Sequence, residues 1–161
     1  MQNDLEMIVE SVVRNVLSGA DAPKDKITLK AAKILAEKIE QKAQEIGVKA
    51  VVAVADTGAR PILVECMDDA FIASYDIAVN KAYTSVSLKM KTSELKKLAQ
   101  PEKDLYGIQF TNAGQIVIFG GGEPLYCNGK IVGGLGVSGG TEEKDTYLAA
   151  YGAELFSKLF S

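Results

Sequence analysis

The sequence predicts a single α+β domain built on an antiparallel sheet. Short apolar runs of strand length come in pairs with tight turns between them, at residues 50–55 with 61–67 and at residues 124–127 with 130–137. Asn128-Gly129 joins the second pair, and Asn-Gly is the strongest short hairpin signal because a type I′ turn needs positive φ at both positions. Helical patterns stand before, between and after these pairs, which indicates helices packed on a sheet rather than a doubly wound fold.

The start of the chain is predicted to be separate from this domain. Residues 1–19 are predicted to form an amphipathic helix, and residues 20–26, which include a proline and charges, a linker to a domain at residues 27–161. A helix this short is marginal alone in water, so its apolar stripe must pack either on its own domain or on a partner. The stripe consists of Leu5, Ile8, Val9, Val12, Val13, Val16 and Leu17.

Within the domain, helices are predicted at residues 28–46, 71–90 and 92–99 and from residue 141 onward, with a further strand at residues 115–119. Thr28 is the candidate N-cap of the first helix, and Thr92 or Ser93 that of the third. The helix at residues 71–90 is apolar on two faces, which predicts that one face packs on the sheet and the other on a second subunit. Lys81 lies in this helix and is either a functional amine or a lysine whose stem packs while its amine reaches water.

Composition excludes several classes of function. The chain has 161 residues, of which 47% are hydrophobic, and this suits one compact domain. A net charge of -3 argues against a nucleic-acid surface, and no apolar run approaches the length of a membrane span. The amphipathic, acid-bearing start of the chain is unlike a signal peptide. We therefore expect a protein that binds neither nucleic acid nor membrane.

The sequence has no histidine, which excludes Ser-His-Asp and Cys-His catalysis and any histidine-ligated zinc or heme iron. Cys66 and Cys127 both fall in predicted strands, and because the chain shows no secretory signal they are expected to be reduced, buried thiols. Two cysteines alone do not make a structural zinc site. No metal site is predicted. Any acid–base chemistry must use Asp, Glu, Lys, Tyr or Cys, and no catalytic residue is assigned.

Glycines cluster on both sides of the hairpin, at residues 120–122 and 138–140, and inside its second strand. Those inside the strand indicate that another backbone, a helix or a ligand comes very close. The flanking glycines favour sharp turns, with a backbone cradle for an anion as the alternative, since no phosphate-binding loop motif is present.

From residue 27 to about residue 160 the chain resembles the GlcG/HbpS family, labelled heme-degrading or heme-binding, which includes the C-terminal domain of PduO-type proteins. The resemblance lies in Ala55-Asp-Thr-Gly58, Met67-Asp68, Ala78-Val-Asn-Lys-Ala-Tyr-Thr84, Leu105-Tyr-Gly107, Gly120-Gly-Gly-Glu-Pro-Leu125 and Gly133-Gly-Leu-Gly-Val-Ser-Gly-Gly140 followed by Asp145. It implies a profilin-like fold, an antiparallel sheet flanked by helices, and homo-oligomers from dimers to octamers. On these motifs the candidate ligand-binding residues are Met67, Asp68, Lys81, Tyr106, Gly121, Gly122 and Glu123.

The resemblance implies an accessory protein that binds a small molecule or a tetrapyrrole, either heme or a corrinoid. Because histidine is absent, heme would need Cys, Tyr, Met or Lys as its ligand. Two alternatives stay open: an enzyme acting on a small metabolite, with its site among residues 120–122, Met67, Asp68 and Lys81, and a structural oligomer whose pocket is vestigial.

The N-terminal helix and linker are similar to the encapsulation peptides that direct cargo into bacterial microcompartments. PduO-type proteins occur with such compartments, so the two resemblances agree. They imply a cytoplasmic protein of the microcompartment lumen, whose N-terminal helix docks on a shell or cargo protein. The adenosyltransferase domain of full PduO proteins is absent here, so cobalamin adenosylation is not implied.

Overall fold

The computed structural model of the chain describes Met7 and residues 25–160. Four helices and four strands follow one another in these residues. They are α1 (Leu29–Glu45), β1 (Val51–Ala55), β2 (Pro61–Cys66), α2 (Ser74–Ser87), α3 (Thr92–Leu98), β3 (Gly122–Cys127), β4 (Lys130–Ser138) and α4 (Glu142–Phe160), with two short 3-10 turns at Ile108–Phe110 and Asn112–Gly114. Apart from Met7, the predicted helix at residues 1–19 with its stripe from Leu5 to Leu17 lies outside the described residues, as does the linker up to residue 24.

The four strands form one antiparallel sheet in the order β2-β1-β4-β3. The β3–β4 hairpin is confirmed, and its turn residues have the positive φ angles that the Asn-Gly pair predicts, 49° at Asn128 and 76° at Gly129. β1 lies between β2 and β4, and all five of its residues are buried, as expected of a strand covered on both faces.

Helices cover both faces of the sheet. On one face α1 and α4 pack against Val52 and Val54 of β1 and against apolar residues of β3 and β4. On the other face α2 packs against Val51, Ala53 and Ala55 through Ala78 and Ala82. The predicted α+β architecture, an antiparallel sheet flanked by helices, is therefore confirmed.

The glycines inside β4 let α2 lie directly on the sheet. A Cβ atom at Gly136 would overlap the backbone carbonyl oxygen of Ala78, and one at Gly134 would come within 2.7 Å of the carbonyl oxygen of Ala82. The approach predicted from these glycines is thus made by a helix, and no room for a ligand is left between α2 and β4.

The predicted strand at residues 115–119 is wrong, since the segment pairs with no strand and Gln115 has the backbone angles of a helical turn. Its backbone instead bonds to a helix side chain: the Thr84 hydroxyl accepts from the Val117 N–H at 3.0 Å and lies 3.3 Å from the Gln115 carbonyl oxygen. Thr84 thus satisfies the polar groups that a neighbouring strand would otherwise satisfy.

Three helix ends also differ from prediction. α2 begins at Ser74 rather than Phe71, because two turns precede it, one closed by the Ala70 N–H on the Met67 carbonyl oxygen and one by the Ser74 N–H on the Phe71 carbonyl oxygen. It ends at Ser87 rather than Met90, and Lys89 has a positive φ of 53° just after it. Lys91, not Thr92 or Ser93, is the N-cap of α3, since the Thr92 hydroxyl is used elsewhere, accepting from the Gly122 N–H. The Thr28 cap of α1 is confirmed, with its hydroxyl accepting from the Ala31 N–H at 3.1 Å.

Large apolar side chains are exposed around the start of α2. Phe71 is 72% exposed and Ile72 is 96% exposed, and Tyr75 on the first turn of the helix is half-exposed. We call these three residues the outer α2 face. No helix in the described part of the chain is long and apolar enough to span a bilayer.

Candidate ligand sites

Lys81 of α2 is completely buried and fully partnered. Its ammonium Nζ donates to the carbonyl oxygen of Val137 at 2.8 Å and to Asp145 Oδ2 at 3.0 Å. The ring centroid of Phe119 lies 5.0 Å from Nζ, in the geometry of a cation–π contact. The pair therefore joins α2 to the end of β4 and to the first turn of α4.

A glycine turn makes room for this ammonium group. Gly121 has a φ of 112°, and a Cβ atom there would lie 2.6 Å from Lys81 Nζ, so only glycine fits both the backbone and the space. At Gly122 space alone excludes a side chain, since a Cβ atom there would lie 2.6 Å from the Thr92 methyl carbon and 2.7 Å from the Lys81 carbonyl oxygen.

Three N–H groups of the flanking glycines donate to side chains of the same chain. These three groups are therefore not available to form the backbone cradle for an anion that the sequence left open. Gly120 N–H donates to Glu142 Oε1 at 3.0 Å, Gly122 N–H to the Thr92 hydroxyl at 2.9 Å, and Gly140 N–H to Asp145 Oδ1 at 2.8 Å. The acids at the start of α4 take the place that a bound anion would have.

Burial and neighbouring charges both shift the pKa values of the ionisable side chains in this region. Burial lowers the pKa of Lys81, and the Asp145 carboxylate opposes that change. Burial likewise raises the pKa of Glu123, whose carboxylate pairs with Lys91 at 3.3 Å. The pKa of Glu142 is lowered, chiefly by the Gly120 N–H and then by Lys96.

This arrangement corrects the expectation that the Lys81 amine reaches water. Lys81 has no exposed surface, and two acceptors and an aromatic ring surround its ammonium group. A substrate could not touch the amine without a rearrangement of Phe119 and the Gly121 turn. The geometry favours a structural ion pair over a functional amine.

A cavity of about 500 Å³ lies elsewhere, between the end of α1 and the end of β2. Its volume falls within the range of small-molecule sites. Two predicted ligand residues, Met67 and Asp68, lie in its wall. The lining consists of Glu40, Gln44, Gly47, Val48, Lys49, Cys66, Met67 and Asp68.

The cavity wall contains sulfur and charge of both signs. Met67 Sδ lies 3.3 Å from the Ala50 backbone nitrogen and accepts its N–H, so this thioether is already engaged. Lys49 is loosely paired with Asp69, at 3.9 Å. Burial raises the pKa of Glu40, and the neighbouring Glu65 carboxylate raises it further.

Cys66 was expected to be buried, but it is exposed on this wall, whereas Cys127 is buried. The reason is position: β2 is an edge strand, and Cys66 is its last residue, paired through its backbone with Val51. Cys66 was therefore absent from the predicted site. Its place directly before Met67-Asp68 was the signal that could have identified it.

The predicted ligand residues thus fall in separate places. Lys81 and Gly121 are in contact, and Gly122 and Glu123 follow directly along the chain. Met67 and Asp68 line the cavity beside α1, on the face of the sheet opposite α2. Tyr106, in the loop after α3, is 65% exposed and belongs to neither lining. Residues 25–160 bring together no group of three or more Cys, Asp or Glu side chains suited to a metal ion.

The domain matches a known family model and is similar in sequence to several known proteins. The family model described as haem degrading protein HbpS-like matches residues 27–154. An uncharacterized 15.0 kDa protein from the dhaT-dhaS intergenic region of Citrobacter freundii is 50% identical over 133 residues, covering 83% of this chain and 94% of that protein. The corrinoid adenosyltransferase PduO of Salmonella typhimurium is 34% identical over 148 residues, covering 88% of this chain but only 44% of PduO.

Several solved structures are also similar to this domain in fold and sequence. The ORFY protein of Klebsiella pneumoniae has a TM-score of 0.80 and 45% identity, covering 82% of this chain and 91% of that one. A PduOC:heme complex has a TM-score of 0.78 and 33% identity, covering 81% and 94%. A double mutant of HbpS from Streptomyces reticuli has a TM-score of 0.73 and 30% identity, covering 83% and 89%.

Replacing Lys81 by methionine tests the structural role of the ion pair. Lys81→Met keeps the length of the side chain but leaves the Asp145 carboxylate buried without its counter-ion, so we expect a loss of about 3–5 kcal/mol in the free energy of unfolding. Lys158→Met, which removes an exposed pair with Glu154 on α4, is the control and should change stability little. Urea unfolding measures both. Equal midpoints for Lys81→Met and the unmodified protein would contradict the assignment.

Proposed function

The chain belongs to the haem degrading protein HbpS-like family, and on that premise we propose that it is an accessory protein that binds a tetrapyrrole in the cavity between α1 and β2. The observation that carries the proposal is the cavity itself, which has a suitable volume and an exposed thiol in its wall. A solved neighbour at 33% identity is a complex with heme, which makes heme the first ligand to test.

Histidine is absent from the chain, so heme in the cavity would have to be held by the sulfur-containing and charged side chains of its mostly polar lining. Cysteine thiolate is an established axial ligand of heme iron, and Cys66 offers it. Lys49 would offer a positive charge to a porphyrin carboxylate, and the Gln44 amide would offer hydrogen-bond donors. When bound, heme would supply a redox-active iron to the protein. A corrinoid is the second tetrapyrrole to test.

The alternative of a small-metabolite enzyme has less support. Its proposed site combined Lys81 with Met67 and Asp68, yet Lys81 is enclosed, and it is absent from the lining of the cavity that holds the other two residues. The remaining alternative, a structural oligomer with a vestigial pocket, predicts that the cavity binds no tetrapyrrole.

We also propose that the protein is a homo-oligomer in which a second copy covers the outer α2 face. Three large apolar side chains are exposed there, Tyr75 on the first turn of α2 and Phe71 and Ile72 just before it, in the segment that was expected to meet a second subunit. Apolar residues grouped in this way mark interaction sites more often than free surface.

We propose further that residues 1–19 act as a targeting helix that docks on a microcompartment shell or cargo protein. The support is the apolar stripe from Leu5 to Leu17, its similarity to encapsulation peptides, and the similarity of the domain to PduO. The family match begins only at residue 27, so the domain does not need this segment to match its family.

Hemin titration tests the ligand proposal. Gln44 lines the cavity from an exposed position on α1, so Gln44→Trp should fill the cavity without disturbing the core. We expect it to weaken hemin binding at least about tenfold, equivalent to about 1.4 kcal/mol. Gln41→Trp, three residues earlier and outside the lining, should leave the affinity unchanged. Hydroxocobalamin is titrated in parallel. Binding of neither tetrapyrrole, or equal binding by both variants, would contradict the proposed site.

Sedimentation tests the oligomer. The unmodified protein should sediment as a dimer or larger species at micromolar concentration. The interface that holds the copies together should bury on the order of 1,200–2,000 Å², the area of stable protein–protein interfaces. Ile72→Asp places a charge in the outer α2 face and should shift the protein towards monomer. Leu29→Asp, at a half-exposed apolar residue on α1, is the control. A monomeric unmodified protein would argue against the interface.

Deletion tests the targeting helix. Removing residues 1–20 should leave the thermal stability of the domain nearly unchanged but abolish association with a shell, measured by fluorescent fusions in cells that make the cognate compartment. Val12→Asp should do the same by charging the stripe, whereas Asn15→Asp, off the stripe, should not. Collapse of thermal stability on deletion would instead place the segment in the core of the domain.

A further inference from the structure

We infer that Glu40 of α1 and Glu65 of β2 share one proton and form a pH-sensitive link between the helix and the edge strand, the two elements between which the cavity lies. The inference concerns how the walls of the cavity respond to acid. It goes beyond the proposed function and does not depend on which ligand the cavity binds.

The two carboxyl groups are in hydrogen-bonding contact across the junction of α1 and β2. Glu40 lies in the lining of the cavity. Glu65 directly precedes Cys66, and its backbone pairs with Val52, a fully buried residue of the central strand β1. Both glutamate side chains are half-buried. The contact therefore joins a wall of the cavity to the edge of the sheet.

Such a contact requires a proton. An ionised carboxylate only accepts hydrogen bonds, so one of the two groups must carry an O–H that donates to the other. Burial raises the pKa of Glu40, and the charge of Glu65 and the hydrogen bond to it raise that pKa further. Glu40 is thus the group that keeps the proton, and the Glu65 carboxylate accepts its hydrogen bond.

The charged surroundings favour the protonated form of Glu40. Among residues 25–160, neither carboxylate of the pair makes an ion pair with a lysine or arginine. The other described charge that acts on Glu40 is Glu37, one turn earlier on α1, and it raises the pKa of Glu40 as well. From β1 the pair is faced by the apolar side chain of Val52.

The remaining titratable groups of the cavity lining do not replace the proton. They are Lys49, which is loosely paired with Asp69 at 3.9 Å, and the exposed Cys66 and Asp68. Because no cation neutralises a second negative charge at the contact, two ionised carboxylates there would repel each other.

Loss of the proton should therefore weaken the attachment of α1 to β2. The pKa of Glu40 is raised in the folded state, so the folded protein binds this proton more tightly than the unfolded chain does. The resulting stabilisation is complete below the ordinary pKa of a glutamate and is lost as the pH rises through the raised value. Acid should thus hold the two sides of the cavity together.

Nuclear magnetic resonance of the full chain tests the link by following each glutamate carboxyl carbon signal as the pH is raised. The Glu40 signal should titrate above the ordinary glutamate pKa. The backbone amide signals of Gly47 and Cys66, which line the cavity beside α1 and on β2, should shift with the same midpoint. Titration of Glu40 at the ordinary value, or cavity signals that do not follow it, would overturn the inference.

Two variants separate the contact from a general effect of charge. Glu65→Gln removes the neighbouring carboxyl group, so the pKa of Glu40 should fall towards its ordinary value. Glu37→Gln makes the same change of charge on α1 but leaves the contact in place. It should lower that pKa less, because Glu37 raises the pKa of Glu40 less than Glu65 does. Equal effects of the two variants would contradict a shared proton.

Urea unfolding shows whether the link stabilises the fold. Glu40→Gln carries an amide that can donate to Glu65 at every pH. It should unfold at the same urea concentration as the unmodified protein in acid, and at a higher urea concentration at neutral pH. A difference between the two midpoints that does not change with pH would contradict the link. None of these measurements needs a ligand, so they stay decisive even if the protein binds no tetrapyrrole.

Discussion

The buried pair of Lys81 and Asp145 is the interaction on which the rest of the domain depends. It joins α2, the end of β4 and the start of α4 at one point, and the Gly121 turn fits against it without space for a side chain. A buried charge must be paired and hydrogen-bonded to be tolerated, so each neighbouring element has a fixed position relative to Lys81. Asp145 extends the network by accepting from Gly140, and Glu142 does so by accepting from Gly120.

This constraint separates structure from ligand chemistry. The α2 face of the sheet is filled by a helix lying on glycines, and its charged groups are used to hold the chain together. The opposite face leaves a cavity where α1 ends, with Cys66, Lys49 and Gln44 in its wall. The polar groups available to a ligand are therefore those at the end of β2, rather than those around the glycine turn.

Local signals predicted much of this fold. Asn128-Gly129 needs only its own two φ angles to make a hairpin, and Thr28 needs only the next turn of helix to act as a cap. The strand predicted at residues 115–119 failed because its hydrogen-bond partner, Thr84, lies far away in the sequence on a helix. The same limit hid the partners of Lys81, since Asp145 is 64 residues away. Exposure of Cys66 depends on the order of the strands, which periodicity alone does not reveal.

The central functional claim is that a tetrapyrrole binds in the cavity between α1 and β2. Nuclear magnetic resonance of the protein titrated with hemin tests it most directly, because ferric iron broadens the backbone amide signals of the residues near it. If the claim holds, the signals of Gln44, Lys49 and Cys66, which line the cavity, broaden while those of Lys81 and Gly121 do not change. Broadening centred on Gly121, or no broadening at all, would contradict the claim.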